Sequence, residues 1–535
     1  MQARPALTFR GLKAALALVL LTAAGVASAA NLNETLKRLD TRNFRQIIAV
    51  AEEVAASGHE RAPIIVEAIQ QGNLYLRASD KRAFIKRKEG GEVVDALTGE
   101  TVSDAGQLNE LRINNLVRMK LRELVSRSRL QHPDPQKRLA AVRDLYGNLS
   151  PEQAQNVREL AVDETNERVK HAMRIAAAIS SLKHGEPPQQ LEAIDTLDGS
   201  LESAARNQLT STMNNKDAAE PVREAAGEAL SAIQTRVSIY NRIEQVFFGL
   251  SLGSVLVLAA IGLAITFGVM GVINMAHGEM IMLGAYTTYV VQQVMPNHMA
   301  ASLVVAIPAA FLVSGSVGIG IERSVIRFLY GRPLETLLAT FGVSLILQQA
   351  VRTIFGPLNK SVTTPSWMSG SIEFNPVFSL TINRLVIIGF ALAVFVGLVL
   401  ILKRTNLGLR VRAVSQNRSM ARAVGVRSEW VDAMTFGLGS GVAGLAGVAL
   451  SQITNVGPNL GQQYIVDSFL TVVFGGAGNL LGTLFAGMSL GIANKFLEPT
   501  TGTVLAKVLV LVFIILFIQR RPKGLFPQRG RAAED

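Results

Sequence analysis

The 535 residues contain no cysteine, which excludes disulfides and thiolate metal sites but leaves the compartment open. Charge is scarce as well: Asp, Glu, Lys and Arg make up 18% of the chain against 49% apolar residues, an unusual balance for a soluble protein. Between Asn31 and about Arg236 the missing feature is any apolar run of the roughly twenty residues needed to cross a bilayer, so that stretch reads as water-soluble. Two further absences bear on chemistry. No G-x-x-x-x-G-K-[ST] phosphate loop occurs anywhere. His59-Glu60 is followed by Arg61-Ala62-Pro63, so the H-E-x-x-H zinc pattern fails, and His132, His171 and His184 are too scattered to ligate at helical spacing. No catalytic set, no metal site and no cofactor bound by this chain is expected. The net charge of +12 lies largely between apolar runs, which points to a membrane surface and not to nucleic acid.

Residues 1–29 read as a signal peptide: Arg4, Arg10 and Lys13 form the basic region, Ala14 to Val26 the apolar core, and Ala27-Ser28-Ala29 the cleavage site. Residues 30–236 then form an exported domain. Its apolar and Ala positions recur at i, i+3, i+4 and i+7 in "RLAAVRDL", "RVKHAMRIAAAIS", "QQLEAIDTL" and "PVREAAGEALSAI", which predicts α-helices. Punctuation by Asp134-Pro135, Asp163-Glu164, Pro187-Pro188 and Asp217 to Pro221 resembles HEAT-type helical pairs, and an irregular helical bundle fits the same spacing. Between Lys81 and Ala105 a basic, then Gly-rich and β-branched segment predicts a hairpin or excursion, its cations on a solvated face.

After Arg242 the character changes. Apolar stretches at about 246–270, 272–294, 301–321, 337–355, 384–402, 431–453, 480–497 and 503–519, with a shorter one at 465–477, predict about nine spans within 243–527. The connections at 322–335 and 403–430 and the tail are rich in Lys and Arg, while 295–300, 356–383 and 454–464 are not. The positive-inside rule then places the first group, with the tail at 528–535, in the cytoplasm and the exported domain in the periplasm. The overall expectation is an all-α, polytopic transmembrane helical protein of the bacterial inner membrane.

Polar residues inside this half are the candidates for function. Asn274, His277 and Glu279 interrupt "GVINMAHGEMIMLGAY", where they make either a hydrogen-bonding turn that fixes two helices or part of a solute path. In "FGGAGNLLG", Gly475, Gly476 and Asn479 break two apolar runs, as discontinuous transporter helices do, or form a tight turn. Gly249 and Gly253, Gly437 and Gly441, and Gly487 and Gly491 are spaced for close helix packing. Lys495 and Lys507 read as snorkelling cations at the outer interface. Around Ser415 to Val424 the basic connection is amphipathic, with Arg418 and Arg422 on one side and Met420, Ala421 and Val424 on the other, which suits a partner's groove.

Four blocks, "GLSLGSVLVLAAIGLAITFGVMGVINMAHGEMIMLGAY", "GLRVRAVSQNRSMARAVGV", "VFGGAGNLLGT" and "RRPKGLF", resemble the permeases of the branched-chain amino-acid class of ABC importers, in the right order over most of 243–527. Within that class, "GVINMAHGEMIMLGAYTTYV", "GQQYIVDSF" and "ANKFLEP", with a long exported domain in front, are similar to the urea-type permease subunit. The amino-acid permeases typically start near their first span, and this chain departs from them by about two hundred residues. The resemblance implies a second, related permease subunit, cytoplasmic ABC ATPase subunits and a periplasmic solute-binding protein as partners in the lipid bilayer, and a chain that transports without being an enzyme. It implies that the loop carrying Arg412, Gln416, Asn417, Ala421 and Gly425 is where the ATPase couples. The alternative solutes are branched-chain amino acids or short amides.

Overall fold

The computed structural model describes residues 32–526 except 87–92, 103–105, 122–129 and a few isolated positions between 42 and 131. The expected signal peptide at 1–29 and the tail at 528–535 lie outside the described residues. The chain divides into two units at Ile233/Gln234.

The first unit has two parts. In the first, α1 (Phe44–Ala56) and α2 (Ala62–Gln71) pack on a small antiparallel sheet. Asn43 caps α1 by accepting from the Arg45 N–H, and Gly72, at φ 73°, ends α2 in the left-handed conformation. The strands β1 (Leu74–Arg77), β2 (Ala83–Lys86), β3 (Val93–Asp95) and β4 (Leu108–Glu110) lie in the order β3-β2-β1-β4, with Leu74 opposite Ile85 and Ile85 opposite Val94. The hairpin expected at 81–105 is thus β2 and β3 of a four-stranded sheet. The mostly helical unit gains this sheet because Leu74, Leu76 and Ala83 alternate inward onto the apolar faces of α1 and α2.

The second part is helical: α3 (Pro135–Asp144), α4 (Pro151–Asp163), α5 (Glu167–His184), α6 (Pro187–Leu197) and α7 (Ser203–Asn214). Proline at the first helical position, where its missing N–H costs nothing, starts α3, α4 and α6. α5 packs against α3, α4, α6 and α7. Contacts to the adjacent and next-but-one helices are what stacked helical pairs and a small bundle both make.

α8 (Glu220–Met270) leads into the second unit, which continues with α9 (His277–Val294), α10 (Met299–Ser324), α11 (Pro333–Phe355), α12 (Ile382–Arg404), α13 (Asn406–Gln416), α14 (Arg418–Ala423), α15 (Ser428–Ser451), α16 (Leu460–Gly475), α17 (Leu480–Thr501) and α18 (Thr503–Arg520). A short hairpin, β5 (Ser371–Glu373) with β6 (Ser379–Thr381), precedes α12. Among the described residues seven helices are long and apolar enough to cross a membrane: α8, α10 with its extension to Phe328, α11, α12, α15, α17 and α18. The other two expected spans are α9, at 18 residues, and α16, at 16. α16 begins at Leu460, five residues before the apolar run that announced it.

α15 is the hub, buried along almost its whole length against α9 and α10. Glycine makes this possible. A Cβ on Gly284 of α9 would meet the Gly444 carbonyl oxygen, and one on Gly447 would meet that of Ile281, each at 2.0 Å. On α8, Gly249 and Gly253 pack in the same way against Gly487 to Ile492 of α17. α11 inverts the usual pattern of a soluble helix: Thr336, Thr340, Ser344 and Gln348 form a buried stripe at i, i+4 spacing, while Leu334, Leu338, Leu345 and Ile346 are exposed. A polar face inward and an apolar face outward is what hydrocarbon solvent selects.

Candidate functional site

The α11 stripe meets the motif that interrupts α8 and α9. α8 stops at Met270, Gly271 takes φ 66°, and residues 271–276 are non-helical before α9 starts at His277. Such a break leaves backbone N–H groups without helical partners. Asn274 Oδ1 accepts from the Ala276 N–H at 3.0 Å, and Thr340 Oγ1 accepts from the Met275 N–H at 3.1 Å. His277 Nε2 donates to the Ala259 carbonyl of α8 at 2.8 Å. Glu279 Oε1 accepts from Ser344 Oγ at 2.9 Å and from Gln348 Nε2 at 2.8 Å.

Asn274, His277 and Glu279 are almost wholly buried, at 2%, 0% and 1% exposure. Asn274 Nδ2, His277 Nδ1 and Glu279 Oε2 are buried and have no protein partner. Each such group carries a desolvation cost of about 1–3 kcal/mol until something bonds it. The motif therefore joins α8, α9 and α11 and still presents spare hydrogen-bonding capacity. It contains no nucleophile, and among the described residues no group of three His, Asp or Glu could hold a metal ion.

Gly475, Gly476 and Asn479 do something different. Asn479 caps α17, accepting from the Gly482 N–H at 3.1 Å and donating to the Phe526 carbonyl at 3.2 Å. Gly475 touches Gly482, and Gly476, at φ 101°, touches Phe526 and Gly524. These glycines let the segment 523–526 lie against the α16–α17 turn. Lys495 and Lys507 likewise have partners: Lys507 pairs with Asp467 at 3.1 Å and Lys495 with Glu498 at 2.5 Å.

In the basic connection, Arg412 donates to the Leu402 carbonyl, Gln416 ends α13, and Asn417 caps α14, accepting from the Met420 N–H at 2.9 Å. Gly425, at φ 88°, follows the α14 terminus in the conformation that glycine adopts most readily. Ala421 is buried against Val411, Val414 and Val431, so it belongs to the base of the helix and not to the apolar side that the sequence pattern put it on. Met420 and Val424 are the exposed apolar residues, at 62% and 73%. Arg418 pairs with Asp432 of α15 and lies over the Tyr330 ring at 4.5 Å, and Arg422 donates to Ser428 Oγ at 2.7 Å. Burial pushes the Tyr330 hydroxyl pKa up. Sequence reasoning missed Ser344, Gln348 and Asp432. The i, i+4 polar stripe of α11 and a lone carboxylate in the apolar run of α15 were the available signals.

Residues 245–518 match the family model described as branched-chain amino acid transport system, permease component. The chain belongs to this permease family. Among its relatives, the high-affinity branched-chain amino acid transport system permease protein BraD of Pseudomonas aeruginosa is 30% identical over 296 residues, which are 54% of this chain and 96% of BraD. LivH of Escherichia coli, a high-affinity branched-chain amino acid transport system permease protein, is 30% identical over 294 residues, covering 53% and 94% of the two chains. The inner membrane ABC transporter permease protein YjfF of Escherichia coli is 26% identical over 199 residues, 35% of this chain and 57% of its own. No solved structure matches the chain. The permease is a multi-pass inner-membrane subunit of an ABC transporter and not itself an enzyme, and its family implies ATPase and binding-protein partners.

Proposed function

We propose that this permease forms the translocation path for urea, together with a second, related permease subunit. The observation that carries this reading is the exported-type unit in front: BraD and LivH are matched over 96% and 94% of their own lengths by about half of this chain. A permease that kept the amino-acid solute would have no evident use for that addition, and the blocks at Gly271 to Val290 and Gly461 to Phe469 resemble those of urea-type subunits. A small neutral solute also suits a path of hydroxyls and amides, such as Ser344, Gln348 and Asn274 around Glu279, better than a ring of charge. In this reading the N-terminal unit is periplasmic and the C-terminus cytoplasmic. The 403–430 connection meets the ATPase through Met420 and Val424, and the chain itself binds no cofactor.

Branched-chain amino acids are the second reading, favoured by what the relatives BraD and LivH are named for. Uptake of labelled urea at micromolar concentration, in cells with and without this chain and with leucine and acetamide as competitors, separates the two. Urea uptake lost on deletion and indifferent to leucine is the expected result. Urea uptake that survives deletion while leucine transport is lost overturns the urea reading in favour of the second.

A further inference from the structure

At the end of the second unit opposite the basic connections, the C-terminus of α15 and the N-terminus of α12 border an open cavity of about 380 Å³. Its wall is almost entirely polar: Asn383, Arg384, Ser451, Gln452, Thr454 and Asn455. The Gln452 Oε1 and Asn383 Oδ1 atoms are buried in that wall without a hydrogen-bond partner. Gln452 is itself 6% exposed, its amide nitrogen held by Ser451 Oγ at 3.1 Å, so its oxygen is left over by a fixed side chain. The Arg384 guanidinium lies over the Phe248 ring at 4.7 Å and makes no ion pair among the described residues. One rim is fixed by the paired backbone of Lys360 and Val456, at 2.7 and 2.9 Å.

A preformed cavity with two unsatisfied amide oxygens and an uncommitted cation has a definite complement: a small solute that offers N–H donors beside an oxygen acceptor. We propose that this bowl is a solute-recognition site of the permease, at the mouth of the path, for molecules of that chemistry. Ureas and primary amides present it, with N–H groups for Gln452 and Asn383 and a carbonyl for Arg384. Amino-acid zwitterions present it too, with an ammonium and a carboxylate. Below the bowl, Met282, Tyr286, Val351, Val456 and Leu460 form one apolar cluster. On α9 Tyr286 lies seven residues beyond Glu279, about 10 Å along the helix axis. A solute released from the bowl toward Glu279 would have to pass this apolar barrier.

The proposal rests on the reading of the chain as a solute path, and its test has to fail separately. The chain has no cysteine, so a thiol placed at the exposed Asn455 (Asn455→Cys) is the only one in this chain, and its labelling is read on this subunit alone after separation from its partners. The rate at which a membrane-impermeant thiol reagent labels it is measured in the assembled transporter with urea, acetamide or leucine at millimolar concentration, beside uptake in the same membranes. Saturable slowing is expected, roughly twofold when the solute equals its dissociation constant, and it is lost in Gln452→Leu or Asn383→Leu. Protection by urea and acetamide assigns the bowl to amides, and protection by leucine alone assigns it to zwitterions. Labelling that none of the three slows, while uptake continues, overturns the bowl and leaves the transport reading intact. Protection without any uptake keeps the bowl and sinks the transport reading. Thr454→Cys, also exposed, replaces the first variant if that one does not assemble.

Discussion

Glu279 shows how a carboxylate is carried inside an apolar bundle: one oxygen takes two neutral donors from α11 and the other is left bare. Gln348→Leu strips one donor and should weaken the α9–α11 contact by about 1–3 kcal/mol, read as a lower melting temperature of the detergent-solubilised complex. An unchanged melting temperature would mean that the bond does not hold the two helices together. In the first unit the Arg138–Glu164 pair, bidentate at 2.8 Å, is the corresponding fixture. Its hydrogen bond from Arg138 keeps the Glu164 carboxyl below the ordinary value of 4.5. A depressed carboxyl stabilises the fold above its unfolded pKa, and that stabilisation is lost as the pH falls through the folded value. Amide exchange in α3 and α4 should therefore quicken as the pH drops below about 4.5, once corrected for intrinsic exchange. Glu164→Gln should be less protected at neutral pH and insensitive to that drop.

At the scale of elements, the α9–α15 seam is backbone against backbone. Gly284→Val places branched carbons where the Gly444 carbonyl already lies. The expected result is loss of the monodisperse complex in size-exclusion chromatography, whereas Gly342→Val on α11, where a Cβ meets nothing, should leave it intact. On α14 the exposed Met420 predicts a selective effect: Met420→Asp should preserve assembly and basal ATPase activity and abolish solute-stimulated activity, and persistent stimulation would refute the contact. These elements differ in how far the sequence announced them. The long apolar runs were legible because bilayer thickness demands unbroken stretches. β1 to β4, three or four residues each, are too short for a period of two to stand out. Glu279 was conspicuous in its apolar surroundings, but its partners lie 65 and 69 residues away, and local pattern carries no such information. Ala421 was put on the wrong side because helical periodicity defines faces without saying which of them the rest of the chain covers.

For the whole molecule, the two units raise separable questions. Removing 31–235 while keeping residues 1–30 and the spans should leave the second unit inserted and assembled but impair uptake, if the first unit receives the binding protein or steadies another subunit. Uptake rate, apparent affinity and assembly all unchanged would remove that role. The glycine seam has a mechanical consequence at this scale. Interdigitated side chains act as teeth that fix two helices in register, and at Gly284, Gly444 and Gly447 α9 and α15 meet without them. Such a contact resists separation, because any gap forfeits its packing, yet it offers little friction to sliding along the helix axes. Movement of this permease between its states should then be shear of α9 and α11 along α15, with Glu279 and its two donors travelling together as one piece.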